Sequence, residues 1–317
     1  MIGGKEMPLE ICEINRRIKT DPAAFVDECE DKYKNAISDA ARKIADRAGE
    51  TSVVLLSGPS GSGKTTTALK LERELEKLGI GTHPISLDDY FLTVDPETSP
   101  KNEDGEIDYE SPLCLDVPLL NSHIEKIIKG EEVLIPKFDF KNQRRSEITS
   151  PLRLNKNEIV IFEGIHALND IITEACGSHG IAIYISARSN FKRDGEVFYK
   201  GTWTRLTRRI VRDDLFRGAN ADFTLAIWEG IRRGEKRYIS PYRDRADIII
   251  NSTHDYEITV LKKHLQDAVK SVPKGIARYD EVCEMMQNLN GFEELADDFV
   301  PKDSLLREFI GGGNFNY

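Results

Sequence analysis

Eight residues, Gly58-Pro59-Ser60-Gly61-Ser62-Gly63-Lys64-Thr65, constrain this chain more than any other stretch. They fit G-x-x-x-x-G-K-[ST] at every fixed position, and their flanks fit as well. Ser52-Val-Val-Leu-Leu-Ser57 before them is apolar and β-branched, as a buried strand is. Thr66 to Leu78 after them reads as a helix closed by Gly79. Glycines in such a loop let successive backbone N–H groups turn inward as an anion nest, and the helix N-terminus adds partial positive charge. The expected ligand is a nucleoside triphosphate held by residues 58–66. Lys64 is placed to reach its β- and γ-phosphates, and the Thr65 hydroxyl to hold magnesium; Thr66 extends the same turn.

Further strand-like runs follow at 82–87, 157–162, 180–186 and 246–251, with helical segments between them. That alternation predicts an α/β fold with a mainly parallel, doubly wound sheet, in which ligands bind beyond the carboxyl ends of the strands. The motifs that carry chemistry lie there. Asp88 and Asp89 follow the second strand, and a carboxylate so placed can take the proton of an attacking hydroxyl. Asp88 is the candidate base because it comes first after the strand. Glu163 ends Ile159-Val-Ile-Phe-Glu163 and is the candidate second magnesium ligand, with a helix cap as its plainer role. His166 reads as a structural neighbour. Asn155-Lys-Asn-Glu158 comes close to a guanine-reading motif but precedes its strand, so a turn is expected.

Arg205, Arg208, Arg209 and Arg212 recur at three- and four-residue spacing, so most share one helix face. Guanidinium groups bind phosphoryl oxygens in two-pronged fashion. Arg205, Arg208 and Arg212 are therefore expected to face the phosphates from a helical lid over about 203–235. A salt-bridged surface helix is the plainer reading.

Composition narrows the partners. The net charge is −10, which argues against a nucleic acid and leaves a small phosphorylated ligand open. Five widely spaced cysteines, with no Cys-x-x-Cys, argue against a disulfide framework or a zinc site. No apolar run is long enough to span a membrane, and Met1-Ile-Gly-Gly-Lys leads into no signal-peptide core. A cytoplasmic protein is expected. Asp21-Pro22 and the spacing of Ala36, Ile37, Ala40, Ala41 and Ile44 predict a helical preface over 1–50. The main domain is expected over 51–255, and a helical extension with a tail over 256–317.

These motifs together resemble the uridine kinase and phosphoribulokinase family of P-loop kinases. The resemblance covers Val53 to Asn251. Besides the loop, it rests on Ser86-Leu-Asp-Asp-Tyr90, Ile107-Asp-Tyr109, Pro136-Lys-Phe-Asp-Phe140, Phe162-Glu-Gly164, Arg205 to Asp213 and Ala246-Asp-Ile-Ile-Ile250. It is nearest to the bacterial uridine-kinase-like branch with an extra C-terminal segment, of which Leu305-Leu-Arg-Glu-Phe-Ile-Gly311 looks typical. The resemblance implies a small substrate-side hairpin, ATP or GTP as donor with Mg2+, and a nucleoside or related sugar compound as acceptor. It implies acceptor contacts from Asp88, Tyr90, Asp108, Phe138, Gln143 and Arg217, with Asp108 on the sugar hydroxyls. Uridine kinases carry Tyr and His where this chain has Phe138 and Gln143, and Arg-Gly-Arg-Asp where it has Arg217-Gly-Ala-Asn220. Those departures point the acceptor away from uridine and cytidine. A sugar-phosphate or polyol kinase is the alternative enzyme, a nucleotide-binding regulatory protein the alternative of another kind. A homo-oligomer stays open.

Overall fold

The computed structural model describes residues 10–270 and 272–315. The N-terminal leader reading and the last two residues lie outside the described part. Five parallel strands form the central sheet: β1 (Val53–Ser57), β2 (Gly81–Ser86), β3 (Glu158–Glu163), β4 (Gly180–Ser186) and β5 (Ile248–Asn251). Their order is β5-β4-β1-β3-β2. β1 pairs β3 from Val53 opposite Val160 to Leu56 opposite Glu163, and pairs β4 from Val53 opposite Gly180 to Ser57 opposite Tyr184. Both sheet faces are covered, so the strands read as continuous apolar runs. Val54, Leu56, Ile159, Ile161, Ile181 and Ile183 feed one core cluster. Their neighbours Val53, Leu55, Val160, Phe162 and Tyr184 feed the other. The α/β, doubly wound expectation holds, and each predicted strand lies within one or two residues of its expected bounds.

Among the described residues, ten α-helices surround the sheet. The preface is two helices, α1 (Ile11–Thr20) and α2 (Pro22–Ala45). Asp21 caps α2 by accepting from the Ala24 N–H at 3.2 Å, with Pro22 in the first turn. Helix α3 (Lys64–Lys77) follows the phosphate loop. On the far face lie α4 (Val117–Ile128) and α5 (Asp170–Cys176). Then come α6 (Gly201–Phe216) and α7 (Ala221–Gly234); the latter runs on into a π-helical turn at Glu235–Ile239. The extension supplies α8 (Glu257–Ala268), α9 (Tyr279–Leu289) and the short α10 (Arg307–Ile310). No helix among the described residues is long and apolar enough to cross a membrane. All five cysteines are free thiols.

The structure corrects the lid reading for most of 203–235. Trp203, Leu206, Ile210 and Val211 of α6 and Leu225 and Trp228 of α7 are buried in the core. That spacing of three, four and seven is an apolar stripe facing inward, so α6 is a core helix and not a flap. The end of α6 and the start of α7 reach solvent, with Leu215, Phe216 and Phe223 exposed.

Candidate active site

The loop after β1 needs its glycines. Gly61 and Gly63 have φ of 73° and 85°, the left-handed region that side chains rarely adopt. A Cβ on Gly61 would also lie 2.8 Å from the Arg205 carbonyl oxygen. The loop thus turns sharply and delivers α3 with its first N–H groups facing the carboxyl ends of β1, β3 and β2.

Three of the expected site residues converge there. Lys64 opens α3, Asp88 follows β2 in a 3-10 turn (Leu87–Tyr90), and Glu163 ends β3. Burial lowers the pKa of Lys64, opposed by the carboxylates of Glu163 and Asp88. Burial likewise raises Asp88, opposed by Lys64, and pushes Glu163 up to about 7. The Thr65 hydroxyl donates to Glu163 Oε1 at 3.3 Å, so the two oxygens expected to share a metal are already adjacent. Two hard oxygen donors suit magnesium, which keeps most of its shell as water and phosphate oxygens. Among the described residues no group of three or more His, Cys, Asp or Glu could hold a metal. A metal site made by protein side chains alone is therefore not what this cleft offers.

The arginines divide in a way the helical spacing does not predict. Arg208 is fully buried and all five of its N–H donors are taken. It donates to both oxygens of Glu257 at 2.6 and 3.0 Å, to the Ser252 carbonyl and hydroxyl oxygens at 2.7 and 3.3 Å, and to the Gly61 carbonyl at 3.2 Å. Arg205 is buried too, donating to both Glu235 oxygens at 2.8 and 2.9 Å and to the Ser60 carbonyl at 3.3 Å. The expectation that Arg205 and Arg208 face the phosphates is corrected: they lie behind the loop and brace its backbone. A charge this deep is tolerated only when paired and fully hydrogen-bonded, which fixes both guanidinium groups.

Arg209, Arg212 and Arg217 are the ones at the cleft. Arg209 donates to the Ser60 hydroxyl at 2.6 Å and pairs with Asp213 at 3.2 Å. Arg212 donates to Asp213 at 3.0 Å, and its charge acts on Lys64. Arg217 is exposed, 3.7 Å from Asp213, and Asp88 acts on it electrostatically. Asp213 thus gathers three cations at the mouth of the loop.

Asp108, the expected acceptor contact, accepts at Oδ2 from the Tyr238 hydroxyl at 2.9 Å and at Oδ1 from the Glu110 N–H at 3.2 Å. The π turn after α7 aims Tyr238 at Asp108. Glu110 packs against Gly234, and burial pushes its carboxyl up to about 7 despite Arg209 nearby. His166, after β3, is buried with no well-aligned partner on either ring nitrogen. Burial and Lys64 push it down to about 3, so its imidazole is neutral. Neither Glu110 nor His166 carries a sequence signal strong enough to mark it; only the fold brings them to the cleft.

A cavity of about 270 Å³ opens between the 91–114 segment and the hairpin of Phe138–Asp139 with Arg144–Arg145. Phe91, Tyr109, Phe138, Phe140 and Gln143 line it. Phe138 meets Phe91 and Phe140 edge-on at 5.7 and 5.2 Å. Asp89 anchors the hairpin: it accepts from the Lys137 ammonium at 3.0 Å and from the Phe138 N–H at 3.3 Å. Tyr90 is corrected from a ligand contact to a core residue. It is fully buried and its hydroxyl bonds His123 Nδ1 at 3.0 Å. The 3-10 turn sends Asp88 to the cleft, Asp89 to the hairpin and Tyr90 into the core, and Phe91 takes the place at the cavity.

The phosphoribulokinase / uridine kinase family model matches residues 53–259. Curated relatives include the uridine kinase of Macrococcus caseolyticus, 26% identical over 224 residues, covering 70% of this chain and 98% of that protein. The uridine kinase of Halobacterium salinarum is 25% identical over 232 residues, covering 72% of this chain and 93% of that protein. Among solved structures, D-glycerate 3-kinase from Cryptococcus neoformans var. grubii is 17% identical, covers 84% of this chain and 89% of that chain, and has a TM-score of 0.37.

Proposed function

This chain belongs to the phosphoribulokinase / uridine kinase family, phosphotransferases acting on an alcohol group, and from that premise we propose that it passes the terminal phosphoryl group of ATP or GTP to a hydroxyl of a nucleoside or related sugar compound. The observation that supports this best is the grouping of Lys64, Asp88 and the Thr65–Glu163 pair at the ends of three adjacent strands.

Asp88 takes the proton of the attacking hydroxyl while Lys64 holds the β- and γ-phosphates. Arg212 and Arg217 stabilise the charge spread over the transferring group. Magnesium, held by Thr65 and Glu163, would supply further neutralisation of the phosphate oxygens. Asp108, oriented by Tyr238, holds a pair of neighbouring hydroxyls. The aromatic cavity takes a flat ring, with Gln143 as its side-chain amide. Phe138 cannot offer the hydrogen bond of a Tyr hydroxyl. A site built around different polar groups shifts preference, because unmatched buried polar groups are costly. Uridine and cytidine are therefore poor acceptors, and another diol-bearing nucleoside or sugar compound is better.

The test is a coupled ADP-release screen of nucleosides, sugars and sugar phosphates with both donors. Strong dependence on one diol acceptor is expected. Efficient use of uridine at low concentration, with none better, would sink the substrate argument. Nucleotide hydrolysis indifferent to every acceptor would instead favour a regulatory nucleotide-binding protein.

A further inference from the structure

The segment beyond the family match ends on the phosphate loop. Leu305, Leu306 and Phe309 are fully buried, and a Cβ on Gly63 would lie 2.5 Å from Leu305 Cδ1. The Arg208 guanidinium stacks over the Phe309 ring at 5.1 Å. Ser304 donates to Glu30 of α2 at 2.5 Å and its hydroxyl lies 3.4 Å from the Tyr256 hydroxyl, so the segment is held from both sides. It carries Glu308 into the first turn of α3. Glu308 Oε2 accepts from the Thr66 hydroxyl at 2.6 Å and from the Thr66 N–H at 3.3 Å. Its other oxygen lies 4.0 Å from Arg212, and its charge is felt by Lys64 and Glu163.

The first-turn N–H groups of such a helix are the donors that cradle a nucleotide's phosphates. Here a carboxylate of this chain already takes one of those N–H groups, with the adjacent hydroxyl and the nearest arginine. An incoming phosphate oxygen that needs the Thr66 donors must displace it. Left in place, the carboxylate repels a triphosphate at a few ångströms, in a cleft where water screens poorly. The rest of the segment is packed in the core, so a turn of the Glu308 side chain is the smallest movement that clears the site and leaves Arg212 facing the phosphates.

We propose that Glu308 is an internal stand-in for a phosphate group, an affinity-setting residue of the nucleotide site that the bound nucleotide displaces from Thr66. This rests on the nucleotide-binding half of the reading above and not on the identity of the acceptor. The carboxylate holds the anion cradle while nucleotide is absent, and its cost is subtracted from nucleotide affinity.

The experiment is an equilibrium titration of the full chain with a fluorescent ATP analogue and magnesium, without acceptor. Glu308→Gln keeps the shape and removes the charge. It should bind the analogue more tightly, on the order of tenfold, within the usual range of coupled binding events. Glu308→Asp keeps the charge but is one methylene shorter. It should bind more tightly by a smaller factor, and it serves as the second test where the Gln variant melts early. Equal or weaker binding in both variants overturns the proposal and makes Glu308 a brace for Thr66. Failure of the kinase reading looks different: nucleotide binds, the variants differ as expected, and no acceptor stimulates ADP release.

Discussion

Arg208 and Arg212 sit one helical turn apart and do different jobs. Removing Arg208 would leave the carboxylate of Glu257, itself fully buried, without its partner. Breaking such a pair from one side costs about 3–5 kcal/mol. Arg208→Ala is therefore expected to lower the thermal midpoint sharply, and a midpoint within a degree or two of the parent would refute the bracing role. Arg212 borders the cleft, so Arg212→Lys should leave the midpoint nearly unchanged and lower kcat, because a point charge cannot reproduce the planar fork. Normal turnover in that variant would make Arg212 a mere partner of Asp213. Glu110 gives a pH prediction. Its folded pKa, about 7, lies above the ordinary 4.5. The folded state therefore holds the extra proton between those values, and stability falls as pH rises through that window. The loss is on the order of 3 kcal/mol at most. Glu110→Gln should flatten the decline of the melting midpoint between about pH 5 and 7. An unchanged slope would mean the carboxyl is ionised throughout.

The π turn at Glu235–Ile239 connects two parts of the site. Its first residue pairs with Arg205 behind the loop, and Tyr238 orients Asp108, the proposed acceptor contact. Tyr238→Phe removes one hydroxyl and should raise the acceptor KM by roughly ten- to hundred-fold, on the order of the 1.5–3 kcal/mol of a hydrogen bond to a charged group, with the nucleotide KM unmoved. A matching rise in both constants would point to a general loosening of the cleft. The turn also marks where sequence reading stops. Strands β1 to β5 were legible because their apolar runs are bounded by turn residues, and the glycine loop because its chemistry allows few substitutes. The facing of Arg205 and Arg208 was not legible, because spacing gives a shared helix face but not what lies opposite it. Here the opposite side holds Glu235, Glu257 and the loop's own carbonyls. Tyr90 lies apart from its expected place for a related reason: a 3-10 turn sends three consecutive side chains to three destinations, and no periodicity reports that. Glu308 was invisible because its partner, Thr66, is 242 residues away.

At the scale of the whole molecule, the two segments outside the family match are built into the same core as the kinase sheet. Ile14, Phe25, Val26, Tyr33, Ile37 and Ile44 of α1 and α2 are nearly or fully buried there, together with Leu305, Leu306 and Phe309 from the tail. The contact reaches the loop itself. The Tyr33 hydroxyl hydrogen-bonds the Thr67 hydroxyl at 2.7 Å, and Thr67 in turn donates to the Gly63 carbonyl at 2.6 Å. Each large apolar side chain buried this way contributes about 1.5–3 kcal/mol. Removing α1 and α2 also bares the core face they cover, and a net stability of only ~5–15 kcal/mol leaves little room for that exposure. A chain beginning at Asp46 is accordingly expected to lose its cooperative thermal transition and to bind a dye for exposed apolar surface. The single change Tyr33→Phe should instead keep the fold, cost about 1 kcal/mol and weaken nucleotide binding through the Thr67–Gly63 contact. Calorimetry on the shortened chain decides between an integral preface and an appended one. A two-state melt within a few degrees of the parent would mean that α1 and α2 merely dock on a kinase domain that folds without them.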